Sequence, residues 1–395
     1  MSVIESLAFR RVLNSHVEFT NEFIVRLTNG AVGTGSSAQG ETISIYEDKK
    51  VSIDPATIIK HITSDGYVGC ALTQEDFDEY LQQRIRLFGR NNVHGLSLAF
   101  FNAANASRST FEAFGQPGTA LPAPRICCNI LNGGWHAYTN PVLSDFSEFM
   151  LVARSNQIPE VIAQHNEIQC KVKEQLIDQP KTVISDNVVN RFATADNREC
   201  IEFLLTVRDQ LGLTNAFDLM IDASAGDLWT NDGYRFAITD NTVRSSEELC
   251  DYWLDLIRQY NLRFLEDPFR EQDPQIWQQL TTAQRACYII GDNFYSSDAD
   301  RIEAGAAANY THGVVIKPNQ AGTVSAVRHA LEVARCAHQI AITSHRSIST
   351  ESTFISALTC MYEVPYIKIG PLQTDYSSVV RLNEIIRLTE DQPCQ

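Results

Sequence analysis

From about residue 124 onward the chain alternates short apolar runs with amphipathic segments, and this alternation constrains the fold more than any other feature. The runs are RICCNIL, SEFMLVA, FDLMIDAS, RFLED, ACYIIGD, GVVIK, IAITS and YIKIG. Each has the length of a strand buried on both faces. Between two of them Val324, Val327, Leu331 and Ala334 recur three and four apart, the stripe of a helix packed on a sheet. In another interval Asp196 and Glu199 read as a capping box, followed by Ile201, Leu204, Leu205 and Leu211, with Gly212 as the stop. Eight strands over about 270 residues fit a (β/α)8 barrel in count and length. A doubly wound open sheet competes, but it usually carries a glycine-rich phosphate loop after its first strand. NILNGGWH has two adjacent glycines and no such loop.

The first part of the chain follows another pattern. SLAFRRVL and EFTNEFIVRLTN are β-rich, and the second closes on Asn29-Gly30, a hairpin turn signal. A Gly/Ser loop, GTGSSAQG, comes next, and helical stretches follow around EDFDEYLQQRIRLF and HGLSLAFFNAANA. Strands followed by helices predict a small α+β domain. The expected organisation is therefore an α/β protein, with an α+β capping domain over 1–120 and a barrel domain over 121–395.

Composition excludes several classes of partner. With 48 acidic and 32 basic residues the net charge is −16, which argues against nucleic acid and against attraction to anionic lipid. No apolar run approaches the roughly 20 residues needed to span a bilayer, and MSVIESLAFRRV lacks the features of a signal peptide. The ten cysteines are scattered without a CxxC pair, so they read as reduced core thiols of a cytoplasmic protein.

The strand ends carry the chemistry. FDLMIDAS delivers Asp222, RFLEDPF delivers Glu266 and CYIIGDN delivers Asp292. GVVIK delivers Lys317, IAITSHRS delivers Ser344, His345 and Arg346, and YIKIG delivers Lys368. An aspartate after a strand is more often a turn former than a ligand. Three carboxylates on consecutive strand ends differ, because a barrel gathers them around one axis, where uncompensated they repel and take up protons. A divalent cation resolves that conflict, and a ligand set without Cys or His favours Mg2+. Lys317 poses its own question: an apolar run ends in an ammonium, and Pro318 follows at once, which predicts Lys317 as the strand's last residue. A nearby cation disfavours its protonated form, so the lysine could take a proton from the carbon beside a carboxylate. Lys368, Arg346 and Ser347 then remain for the anionic ends of a substrate.

In order and nearly in spacing, NILNGGWH with SEFM, MIDAS, FLEDPF, GDN, IKPNQAGT, SHRS and YIKIG resemble the signature blocks of the enolase family. KPNQAGT followed by SHRS is the most specific pair. RRVLNSHVEFTNEFIV resembles a degraded form of the family's opening strand pair, and NVHGLSLAF its later helix. The resemblance implies an enolase-like barrel with its capping domain and a homodimer. It implies Asp222, Glu266 and Asp292 as Mg2+ ligands, Lys317 as the base, Glu148 in the acid machinery, and Lys368 on the substrate carboxylate and metal. Arg346 and Ser347 would grip phosphate, while His345 and His136 would line the pocket; a satisfied loop histidine is an equal reading of His136.

Departures cluster on the leaving-group and lid side. The family's Asp-Glu-Gly-Gly loop aligns best with ISDNVVN, which puts Asn187 where an acid is expected. The mobile serine loop is rewritten as GTGSSAQG, with Ser36 or Ser37 as its substitute serine. Ile348 and Ser349 replace a glycine and an acidic residue, and Trp135 fills a small residue's place. Three functions follow as expectations. The first is a Mg2+-dependent lyase acting on 2-phosphoglycerate or phosphoenolpyruvate. The second is a specialised enzyme similar to the carboxyphosphonoenolpyruvate synthases of phosphinate pathways, acting on a small phosphorylated or phosphono carboxylate. The third is a non-catalytic enolase-like binding protein.

Overall fold

The structure is a computed structural model, and it describes the chain except residues 37–39, 41–43, 48–52, 117–120, 134–138, 185–186, 193 and 391–395. Its first part is a four-stranded antiparallel sheet, ordered β3-β2-β1-β4 and formed by β1 (Ser2–Leu13), β2 (Phe19–Leu27), β3 (Val32–Ser36) and β4 (Ala71–Leu72). Gly30, at φ 85°, makes the turn into β3 that the Asn-Gly pair predicts. Helices Pro55–Ser64, Gln74–Gln82 and Arg90–Ala104 cover the sheet around a core that includes Phe23, Val25, Phe77, Leu96 and Phe100. The contact with β3 is close: a Cβ at Gly35 would lie 2.1 Å from the Gly95 carbonyl oxygen.

Eight strands then close into a barrel, and each of the eight apolar runs supplies one. They are β5 (Arg125–Asn132), β6 (Glu148–Ala153), β9 (Phe217–Asp222), β13 (Phe264–Glu266), β14 (Tyr288–Gly291), β15 (Gly313–Ile316), β16 (Ile340–Ser344) and β17 (Tyr366–Lys368). A hairpin, β7 (Lys181–Ile184) with β8 (Asn187–Asn190), and a small sheet, β10 (Trp229–Thr230), β11 (Gly233–Arg235) and β12 (Val243–Arg244), are inserted around β9. Cys127, Met150, Val152, Met220, Phe264, Ile290, Val315 and Ile342 fill the barrel interior, so it is packed and not a pore. The proposed division at residue 120 falls among residues outside those described, between the short helix Thr110–Ala113 and β5.

One strand departs from the expected parallel barrel. β6 runs antiparallel to both β5 and β9. The described residues between β5 and β6 contain no helix, and a direct connection joins antiparallel neighbours, whereas a parallel pair needs a crossover. Helices Ile158–Leu176 and Asn197–Gln210 both follow β6 before β9 begins. The reversal moves the first residue of β6 to the end where the other strands finish.

Two smaller expectations also change. Asp196 does cap its helix, accepting from Arg198 N at 2.9 Å, but Glu199 accepts from Thr194 N at 3.1 Å, so no reciprocal box forms. β15 ends at Ile316, one residue before Lys317, which is extended (φ −116°, ψ 119°) and leads into the turn opened by Pro318. The helix after it, Val324–Cys336, buries Val324, Val327, Leu331 and Ala334 as the periodicity requires. Its first amides are capped from the amino-terminal part: Val324 N donates to Ser97 Oγ and Ser325 N to Asp78 Oδ2, both at 2.8 Å. These bonds satisfy helix-end donors across the junction between the two parts.

Candidate active site

The carboxyl ends of the strands bring the expected groups together. Asp222 and Glu266 are the last residues of neighbouring strands β9 and β13 and lie side by side in the register. Glu148 opens the reversed β6 and pairs directly with Asp222. Asp292 follows β14, and Lys368 ends β17 on the far side of the barrel. Lys368 Nζ reaches across to Glu148 Oε2 at 3.0 Å, Asp222 Oδ2 at 3.1 Å and Glu266 Oε2 at 3.0 Å. Lys317 Nζ donates to Asp292 Oδ2. Glu148, Asp222, Asp292, Lys317 and Lys368 border a cavity of about 160 Å3, lined also by Asn129, Ser147, His345, Arg346 and Ser347, while Glu266 is wholly buried.

Burial decides the electrostatics. Glu266 is wholly buried; that burial, with Asp222 and Asp292 beside it, pushes its carboxyl well above the usual range against the pull of Lys368 and Lys317. Burial acts on Asp222 in the same sense, but Lys368 and Lys317 outweigh it and hold Asp222 below its ordinary value. Burial alone would lower Lys368, but Glu148, Glu266, Asp222 and Asp292 hold it well above its usual value, so it is an ammonium. His345 is pushed well below its usual value by burial and then by Arg381, Lys368 and Lys317, which makes its ring neutral at pH 7.

Among the described residues no three His, Cys, Asp or Glu side chains converge closely enough, as they stand, to hold a metal ion. The lysines supply the positive charge instead. The donor set still fits a hard cation: every acidic group offers oxygen, and Asp292 Oδ1 is buried with no hydrogen-bond partner.

Other expected residues are more dispersed. Arg346 and Ser347 follow β16 and line the cavity, and Arg346 Nη1 pairs with Glu47 Oε1 at 3.2 Å. His136 and Ser37 lie outside the described residues. Ser36 does not reach the cavity; its hydroxyl donates to Glu22 Oε1 at 3.3 Å. Asn187 opens β8 opposite Ile184 and is not among the lining residues, so the hairpin does not bring it to the chemistry.

Three contributors escaped the sequence reading. Asn129 Nδ2 donates to Glu148 Oε1 at 2.9 Å. Its signal was present: it stands two residues after interior-facing Cys127 and is the polar member of an apolar run. Asp267 accepts from the amides of Asp292 (2.9 Å) and Asn293 (2.8 Å) and so fixes the loop that presents Asp292. Ser15, at the end of the β1–β2 hairpin, binds the loop after β16: its amide donates to Ser349 O at 2.8 Å. The amino-terminal part thus forms one wall of the cavity.

Closed barrel, capping sheet and a carboxylate–lysine cluster at the strand ends define a class of protein, the barrel enzymes whose site lies at the carboxyl ends of the strands. A family model described as the enolase C-terminal TIM barrel domain matches residues 119–393. The chain belongs to the enolase family and is a divergent, enolase-type lyase. It is similar to the enolase of Natranaerobius thermophilus, 26% identical over 427 residues, covering 99% of this chain and 96% of that one. It is likewise similar to the enolase of Methanosphaera stadtmanae, 26% identical over 411 residues (99% and 97% covered). With the enolase of Acidothermus cellulolyticus it shares 29% identity over 426 residues (99% and 95% covered).

Proposed function

We propose that this protein is a Mg2+-dependent lyase that removes the proton alpha to the carboxylate of a small phosphorylated hydroxy acid, of the 2-phosphoglycerate and phosphoenolpyruvate kind. One observation carries the reading: Lys368 contacts Glu148, Asp222 and Glu266 while Lys317 contacts Asp292, all at one end of one barrel. In this reading Asp222, Glu266 and Asp292 would hold magnesium, which when bound supplies the positive charge that steadies an enolate. Lys317 is the base. Its backbone is fixed because its amide donates to Ser297 Oγ at 2.8 Å, so the side chain starts from a defined point. Lys368 steadies the substrate carboxylate. Glu148, oriented by Asn129, belongs to the acid machinery on the leaving side. Arg346 and Ser347 take the phosphate, and neutral His345 lines the pocket; a part for His136 rests on the family resemblance alone. By family analogy the protein is a homodimer of the cytoplasm. Among the described residues no helix is long and apolar enough to cross a membrane.

A second reading keeps proton abstraction and changes the rest, as in a specialised enzyme of phosphonate or phosphinate biosynthesis. Asn187, which stands where the family's acid is expected and is not among the residues lining the cavity, favours it, because an amide cannot donate a proton to departing hydroxide. A non-catalytic binding protein ranks third, since drift alone would not keep six charged groups paired at one end of the barrel. The test is to supply Mg2+ and 2-phosphoglycerate and follow enol absorbance. Turnover supports the first reading. Exchange of the C2 proton with deuterated water without dehydration supports the second, and neither, together with indifference to Mg2+, supports the third.

A further inference from the structure

Gly40 and the segment 44–47 reach from the capping region to the barrel and are fastened there at several points. Ser44 Oγ donates to Asn293 O at 2.8 Å, and the Arg301 guanidinium lies over the Tyr46 ring, 4.4 Å from its centroid. Gln320 Nε2 and Arg346 Nη1 each donate to Glu47 Oε1 at 3.2 Å. The Glu47–Arg346 pair is buried, its side chains only 8% and 6% exposed. A Cβ at Gly40 would fall 1.9 Å from Arg346 Nη2, so the backbone there lies directly against the guanidinium.

We propose that Glu47 is a specificity-determining residue: it competes with the anionic end of the substrate for the Arg346 guanidinium and so sets how strongly the cavity binds a phosphate-type group. This rests on the reading of Arg346 as the residue that takes the substrate phosphate. Carboxylate and phosphate oxygens satisfy the same planar fork of donors, so one occupies what the other needs. A phosphate bound beside an undisplaced Glu47 would meet a like charge where water screens poorly. Displacing Glu47 also frees Gln320, whose Oε1 accepts from Ser297 Oγ at 2.8 Å, and that hydroxyl in turn accepts the Lys317 amide. Binding at the phosphate end is thereby linked to the backbone of the base.

Titration of the full-length protein with inorganic phosphate in the presence of Mg2+, followed by calorimetry, tests this. Glu47→Gln keeps the shape and removes the competing charge, and it should bind phosphate at least about tenfold more tightly than the unaltered protein. Glu47→Asp keeps the charge and should stay close to the unaltered protein, which separates competition from general loosening of the segment. Arg346→Gln should abolish binding in either background. If Glu47→Gln binds no more tightly while Arg346→Gln still loses phosphate, the role of Glu47 is overturned and the site reading stands. If phosphate binding ignores Arg346→Gln, or is undetectable in every variant including Glu47→Gln, both fall.

Discussion

Replacing Lys368 with Met tests whether one ammonium is the internal counter-charge of the cluster. Its Nζ lies 3.0–3.1 Å from three carboxylates, one of them the wholly buried Glu266. At an effective dielectric of about 20, each 3 Å contact amounts to roughly 5 kcal/mol of gross attraction. Most of that sum offsets desolvation already incurred on folding, and breaking a buried pair from one side costs a net of about 3–5 kcal/mol. With a urea slope of about 3 kcal/mol per M or more, the unfolding midpoint of Lys368→Met at pH 8 without divalent ions should drop by about 1 M. Two rescues are expected. Lowering the pH should recover part of the loss, because Glu266, already raised by burial and its acidic neighbours, takes a proton more readily once the ammonium is gone. Mg2+ at about 100 times its dissociation constant should return about 2.7 kcal/mol. An unchanged midpoint at pH 8 would mean that the carboxylates do not depend on Lys368. A drop that Mg2+ fails to repair would sink the idea that ammonium and metal serve the same oxygens.

Three further outcomes are expected. Glu148→Gln should slow dehydration by about 100-fold or more while leaving C2 proton exchange nearly intact, because the proposed function puts Glu148 in the acid machinery; parallel assays of both steps check this. Asp78→Asn should lower stability by about 1–3 kcal/mol by setting an amide donor against the Ser325 amide, measured by chemical unfolding of the full chain. His94 is buried and its pKa is pushed down to about 4 by that burial. The unfolded chain therefore binds the extra proton first, and stability present above pH 6.5 is lost as pH falls towards 4, by up to about 3 kcal/mol. His94→Leu should flatten that part of a stability–pH curve, and an equally steep curve would remove His94 as its cause.

The barrel was legible because strands buried on both faces leave apolar runs that end abruptly in chemistry-bearing residues, and all eight runs became strands. The direction of β6 was not legible, since an apolar run reads alike both ways. Its one clue was that Glu148 opens the run while Asp222 and Glu266 close theirs. Glu47 was invisible for a different reason. In SIYED it reads as one more solvated charge, and its burial depends on Arg346 some 300 residues away. Helix ends fell between these cases: Asp196 was readable as a cap from spacing alone, but Glu199 found a local competitor in Thr194.

The most direct measurement is proton NMR of 2-phosphoglycerate in deuterated water with Mg2+ and either the unaltered protein or Lys317→Ala. The account predicts loss of the C2 proton signal with the unaltered protein, and a rate lower by at least about 100-fold with Lys317→Ala. Equal exchange by the two proteins would contradict it, as would no exchange at saturating Mg2+.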